Sequence, residues 1–223
     1  MKKNAKKSKR HYILTDETIE YQGHILHRIK CIEEFVRNYY YTIKVGQFGG
    51  FVESYDNLQD NSWVDDEAKV FGNAIVKGDS IIRGYACVYG NAKITDAKIS
   101  EWATVCGNAQ IIEGYVHGHA CAYGNTQIGG EVYGCTQVYG SAEIGINTKI
   151  YGSCHICGNV RIGEYTEIFG MAKIDFPTSD AILPFRIKGD LYLKNTKEFL
   201  NYYKAERKNY LKEYEELKSY LNR

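Results

Sequence analysis

The chain has no run of 18 apolar residues, and its basic start leads into HYILTDETIEYQGH instead of an uninterrupted apolar stretch. This argues against a membrane-spanning helix and an export signal, so the sequence reads as soluble and cytoplasmic. An excess of one charge is missing too: 28 Lys and Arg stand against 27 Asp and Glu, a net charge of +1. The whole-protein field therefore gives no push toward nucleic acid or anionic membrane. The local exception is MKKNAKKSKR, read as a basic, solvated tail over residues 1–11 and the one segment with anything to offer a nucleic acid. No Gly-Lys-Ser/Thr follows the glycines of VGQFGGFVES (Gly46, Gly49, Gly50), which excludes a phosphate loop there. No acid pair and no Ser-His-Asp arrangement stands out. Seven cysteines, an odd number scattered through the chain, do not make a disulfide framework and suit a reducing compartment. Proline and methionine number two each against 20 tyrosines, and an excess of that size needs a structural home.

What the sequence does have is a repeat. With an aliphatic residue at position 1, the chain parses from residue 64 as VDDEAK, VFGNAI, VKGDSI, IRGYAC, VYGNAK and onward to IFGMAK. Position 1 is Val or Ile except at Ala122, position 3 is mostly Gly, and position 5 is nearly always Ala, Ser, Thr or Cys. A period of six drifts around a helix of 3.6 residues per turn, and each interior glycine would cost a helix about 1 kcal/mol. The unit is instead a very short strand followed by a tight corner, where glycine supplies the backbone freedom.

Such units in one register describe a parallel β-solenoid with coils roughly 4.8 Å apart. Three shortened units (ITDAK, IIEGY and IGGE) recur every third unit, which favours three hexads per coil. The expected fold is an all-β, three-sided solenoid of about six coils over residues 64–176, roughly 30 Å long. Position 2 of one face then runs Phe71, Tyr89, Cys106, Tyr123, Tyr139, Cys157, and that of another ends His117, Tyr133, Tyr151, Phe169. Equivalent residues of successive coils stack, so these become external aromatic ladders. Two roles stand open for them: stiffening the corners, or forming a binding stripe.

The units resemble the hexapeptide repeats of left-handed β-helix proteins. The VYGNA form, preceded by VGQFGGFVESYDNLQDNSWVDDEAKVFGNA, is similar to phage and prophage proteins labelled putative transferases. The resemblance covers about residues 12 to 174 and implies a left-handed parallel β-helix; the handedness comes from it alone. By context it also implies a partner inside an infected bacterium, an immunity component or its small-molecule nucleotide signal, hence an anti-defence role.

Two caps are expected. YILTDETIEYQGHILHRIKCI, with a turn at Gln22-Gly23, suggests a β-hairpin within an N-terminal cap over residues 12–63, covering the unpaired edge of the first coil. Beyond Pro177, FRIKGDLYLK suggests a terminal strand or hairpin over residues 177–194. Residues 195–223 read as an amphipathic α-helix, with Asn195 as N-cap and Glu198 as its partner. Its stripe of Leu200, Tyr203, Arg207, Tyr210, Tyr214, Leu217 and Leu221 either packs on the same chain or joins copies as a dimer or trimer.

Candidate chemistry is sparse. The resemblance to hexapeptide acyltransferases implies a histidine activating an acceptor for attack on an acyl thioester such as acyl-CoA. His117 and His119 in VHGHAC, and His155 in YGSCHIC, occupy outward positions and are the candidates. Such enzymes insert a loop between coils to build their site, and these repeats run on without one. Three histidines converging on zinc would need a spacing the repeats lack. Cys154 and Cys157 form a CxxC, yet they occupy the small-residue and ladder positions of the repeat. Asp65, Asp66 and Glu67 read as a solvated corner. The leading expectation is a non-enzymatic binding protein, without metal or cofactor, whose ladder residues Tyr89, Tyr123, Tyr139, His117, Tyr133, Tyr151 and Phe169 meet its partner; the competing one is an acyltransferase using His117 or His119.

Overall fold

A computed structural model describes residues 10–38, 41–176, 181–182, 186–188, 192–194, 197–198, 201–202, 204–205 and 208. Each hexad forms a strand of two to four residues ending at or just past position 1, followed by a corner. The strands fall into three sheets, and each pairs in parallel with the strand three further along the chain. In one sheet Val70 aligns with Val88, Val105, Ala122, Val138, Ile156 and Ile174 in turn. These position-1 side chains are buried and form one continuous core. Burying a Val or Ile stabilises by about 1.5–3 kcal/mol, so the column of branched side chains is the main source of cohesion. The result is an all-β parallel solenoid of about seven turns.

The corners explain the other fixed positions. Most position-3 residues take left-handed backbone, as at Gly90 (φ 71°) and Gly124 (φ 78°); in IGINTK and IGEYTE the left-handed residue is instead position 4, Asn147 (φ 55°) and Tyr165 (φ 58°). Of the non-glycine residues at position 3, Asp66, Glu101 and Glu113 adopt the same conformation, with φ of 53°, 62° and 57°. At most of these corners glycine is required twice over. A Cβ on Gly124 would lie 2.7 Å from the carbonyl oxygen of Gly140 in the next coil. Position 5 turns inward beside the core: Ala86, Ala103, Ala120 and Cys154 are fully buried, so little volume fits there. Polar residues at this position bond the corner itself, as Ser80 Oγ donates to Lys77 O at 2.6 Å and Thr166 Oγ1 to Gly163 O at 2.8 Å.

The coils extend beyond the repeats legible from residue 64. At the N-terminal end β1 (Tyr12–Tyr21) and β2 (His24–Cys31) form an antiparallel hairpin. Its two-residue turn, Gln22 (φ 52°) and Gly23 (φ 81°), has both residues left-handed, as the twist of a tight hairpin requires. The outer strand β1 carries Asp16, Glu17 and Glu20 and a bulge between Leu14 and Thr18, features that discourage pairing with another chain. A short pair, β3 (Phe35–Asn38) and β4 (Tyr41–Ile43), follows. The segment VGQFGGFVES is more than an approach to the first coil. Its β5 (Phe48–Val52) pairs antiparallel with β2 and parallel with the strand at Lys69–Val70, so it joins hairpin to solenoid. From Val52 the chain already runs in hexads, VESYDN then LQDNSW, and Leu58 bridges to Val76.

At the other end the described residues of FRIKGDLYLK contribute two further parallel strands. Arg186–Lys188 pairs with Glu167–Phe169, and Tyr192–Leu193 pairs with the strand at Lys173–Phe176. Ile187 and Leu193 are buried as position-1 equivalents. Residues 197–198, 201–202, 204–205 and 208 are helical, and the Glu198 carboxylate accepts the Lys194 N–H at 2.8 Å. Asn195 and the stripe residues Leu200, Tyr203, Arg207, Tyr210, Tyr214, Leu217 and Leu221 lie outside the described residues, as does most of the basic tail. Among the described residues no helix is long and apolar enough to cross a membrane.

Candidate functional site

The parallel register sets position-2 side chains one above another, and where they are aromatic their rings stack. His117 lies 4.8 Å from Tyr133, Tyr133 4.9 Å from Tyr151, and Tyr151 5.2 Å from Phe169, all with planes within 9°. This spacing is that of the coils themselves, so the backbone repeat dictates it. Tyr115, at the end of the shortened unit IIEGY, stacks on His117 from the side at 4.0 Å. Lys98 Nζ sits 4.5 Å from the centroid of the Tyr115 ring, and the Tyr115 hydroxyl is 3.0 Å from Ser100 Oγ. The five-ring rib is partly exposed along its length.

Carboxylates run beside the rib. His117 Nε2 is 3.1 Å from Glu131 Oε1, and its Nδ1 faces Glu101 Oε1 at 3.7 Å. Glu131 also pairs with Lys149 at 3.5 Å, and the Tyr151 hydroxyl donates to Glu167 Oε1 at 2.8 Å. Burial first, and the Glu131 charge second, push the Tyr133 phenol above its ordinary value, so it remains a neutral hydrogen-bond donor. A catalytic base needs a ring nitrogen open to its substrate. Both nitrogens of His117 already face carboxylates.

The second column stacks in segments. Phe71 and Tyr89 are parallel at 5.0 Å, as are Tyr123 and Tyr139, with Cys106 between the two pairs and Cys157 below. Hydrogen bonds from the phenols to these thiols, and then burial, push Tyr89 and Tyr139 each up to about 12. The Cys157 thiol is raised by its own burial. Cys154 is fully buried, donates to Tyr151 O at 3.1 Å and is pushed up to about 11 by desolvation. Low thiolate character of this kind suits packing better than redox chemistry. Among the described residues no three His, Cys, Asp or Glu side chains gather in a way that could hold a metal ion.

His119 does not share a site with His117. It belongs to a third column, at position 4, in which Tyr85 stacks on Trp102 at 4.1 Å and Trp102 on His119 at 6.1 Å. Tyr85 and Trp102 are each 53% exposed, so this column is an open aromatic surface. The position-2 reading missed it, although the same every-third-unit comparison applied to position 4 finds it. His155 lies in another row, aligned between Gln137 and Lys173. Position 4 of the neighbouring corner carries a polar equivalent: Asn73, Asn91, Asn108 and Asn125 donate one to the next at 3.1, 3.0 and 2.9 Å.

The three carboxylates of VDDEAK are anchored to their surroundings, so they are not a merely solvated corner. Asp65 accepts a short hydrogen bond from the Tyr41 hydroxyl, Asp66 accepts the Gly84 N–H at 2.9 Å, and Glu67 pairs with Arg28 at 3.3 Å. Two of them tie the coils to the N-terminal cap, a role invisible without knowing where β2 and β4 fold back. Comparison of the chain with protein-family models gives no match, and comparison with curated proteins gives none either.

Proposed function

We propose that the chain is a non-catalytic binding scaffold whose aromatic columns engage a partner. The observation that carries this reading is the rib from Tyr115 through His117, Tyr133 and Tyr151 to Phe169, parallel and partly exposed, with both His117 nitrogens facing carboxylates. Because the ring faces are covered by their neighbours in the column, the rib offers ring edges and neutral phenol donors, which suit recognition by edge-to-face packing and hydrogen bonding, while nothing in the rib is set to attack a bond. A planar, hydrogen-bonding small molecule such as a nucleotide signal, held where the ribs of two copies face each other, is the ligand chemistry this favours. The resemblance to phage and prophage proteins supports a ligand, or an immunity protein that uses it, in a bacterial host.

The test is to recover the protein from phage-infected bacteria, identify any small molecule released on denaturation, and compare Tyr133→Ala/Tyr151→Ala with the parent. Loss of the retained molecule from a variant with an unchanged circular dichroism spectrum is expected. Full retention by that variant would refute the role of the rib.

A further inference from the structure

The three shortened units leave a physical trace that the aromatic columns do not use. Removing residues from a corner draws it inward, and concavities of about 580, 280 and 480 Å³ surround Glu113, the left-handed residue of the unit IIEGY. The largest of the three runs down four successive coils of the sheet containing Ile111, Ile128, Ile144 and Ile162. Its floor is backbone, because position 2 of three consecutive coils is Gly129, Gly145 and Gly163. Ile112 and Ile146 wall it, 47% and 44% exposed. Along one side Glu143 and Arg161 form an ion pair at 2.7 Å, so their charges offset each other. Glu113 and Glu164 are exposed at opposite ends, with no ion pair to any described residue.

We propose that this groove binds an extended segment of a partner protein with the pattern basic, any, aliphatic, any, basic. The spacing follows from the two repeats. Glu113 and Glu164 each stand two residues after a core isoleucine, and those isoleucines are three coils apart, roughly 14 Å. Four residues of extended chain cover about the same distance, and residues i, i+2 and i+4 project on one side. The outer two therefore reach the free carboxylates while the middle one lies on the glycine floor between Ile112 and Ile146. A volume near 580 Å³ is within the usual range for such a short buried segment. This reading does not rest on the aromatic columns, and its failure would leave the retention experiment untouched.

The probe is a fluorescein-labelled peptide, Lys-Ser-Val-Ser-Lys, titrated against the full chain by fluorescence polarisation. Replacing its Val by Ser should weaken binding about tenfold, the loss of one buried aliphatic side chain. Glu113→Gln and Glu164→Gln should each weaken it up to about fivefold, with the salt dependence falling as well. Ile146→Ser should also weaken it, and all three exposed substitutions should leave the thermal unfolding midpoint near that of the parent. The proposal is overturned if the peptide does not bind at millimolar protein, or if Glu-Ser-Val-Ser-Glu binds equally well. It is equally overturned if sedimentation shows the groove occupied by a second copy, through a dimer that Ile146→Ser dissolves.

Discussion

The corner glycines offer a direct check on the claim that coil stacking, and not turn conformation alone, selects them. Gly23 and Gly124 have nearly the same backbone angle, φ 81° and 78°, but different surroundings. A Cβ on Gly23 meets nothing within 4 Å, whereas one on Gly124 would sit 2.7 Å from Gly140 O and 3.0 Å from Gly140 N. Gly23→Ala should therefore cost only the left-handed conformation, about 1–2 kcal/mol. Gly124→Ala carries that cost plus the opening of a coil contact by about 0.7 Å, which strains the Asn125 N–H to Gly140 O bond of 2.7 Å. Overpacking of this sort adds about 1–3 kcal/mol. For a chain of this size each kcal/mol lowers the midpoint by about 2–4 °C. Thermal unfolding followed by circular dichroism should thus place Gly124→Ala below the parent by about 4–20 °C and Gly23→Ala by about 2–8 °C. Equal losses at the two sites would refute the stacking argument.

Other outcomes follow from the same geometry. Alkaline titration followed at the phenolate absorbance should show Tyr89 and Tyr139 ionising near 12, after the ordinary tyrosines. Since their folded values lie above the unfolded one near 10, the stability they contribute is fully present below pH 10 and declines as pH rises toward 12. Thiol labelling of the native protein should modify exposed Cys135 first and buried Cys31, Cys87, Cys154 and Cys157 last; simultaneous labelling would contradict the burial. Asn108→Ala removes two rungs of the asparagine ladder, and at about 0.5–1 kcal/mol for each such exposed hydrogen bond it should lower the urea midpoint measurably, more than Asn73→Ala at the end of the ladder. Glu53 is held below the usual carboxylate range chiefly by its hydrogen bond with His24, 3.0 Å away. The stability it contributes is present above that range and lost as pH falls below it. Glu53→Gln should therefore lower the unfolding free energy at pH 7 by less than about 1 kcal/mol, measured by urea denaturation, and the difference should fade in acid.

Where one residue type does one job per coil, the sequence is transparent. Val or Ile inside, Gly at the left-handed corner and Ala in the tight inward position are legible because each repeats every six residues. Position-2 stacking follows once three units make a coil. The first two hexads are hidden because Leu58 replaces a β-branched residue and position 3 is Ser54 and Asp60, the latter left-handed at φ 56° and accepting the Gly78 N–H through its carboxylate. The Tyr85–Trp102–His119 column is not legible as a tyrosine ladder because three different residue types share position 4. The anchoring of Asp65 and Glu67 depends on Tyr41 and Arg28, which precede them by 24 and 39 residues in segments with no period at all. The glycine-floored groove lay behind the shortened units, whose regular placement indicated the coil but not the hollow that it leaves.

The central claim is that the molecule holds a partner and does not turn one over. Native mass spectrometry of the chain taken gently from infected bacteria, followed by incubation of the same sample with acyl-CoA, tests it most directly. The expected result is a multiple of the 25.4 kDa chain carrying a defined retained species, with no release of free CoA thiol. A bare chain or oligomer that releases the thiol, and loses that activity in His117→Ala or His119→Ala, would contradict the account.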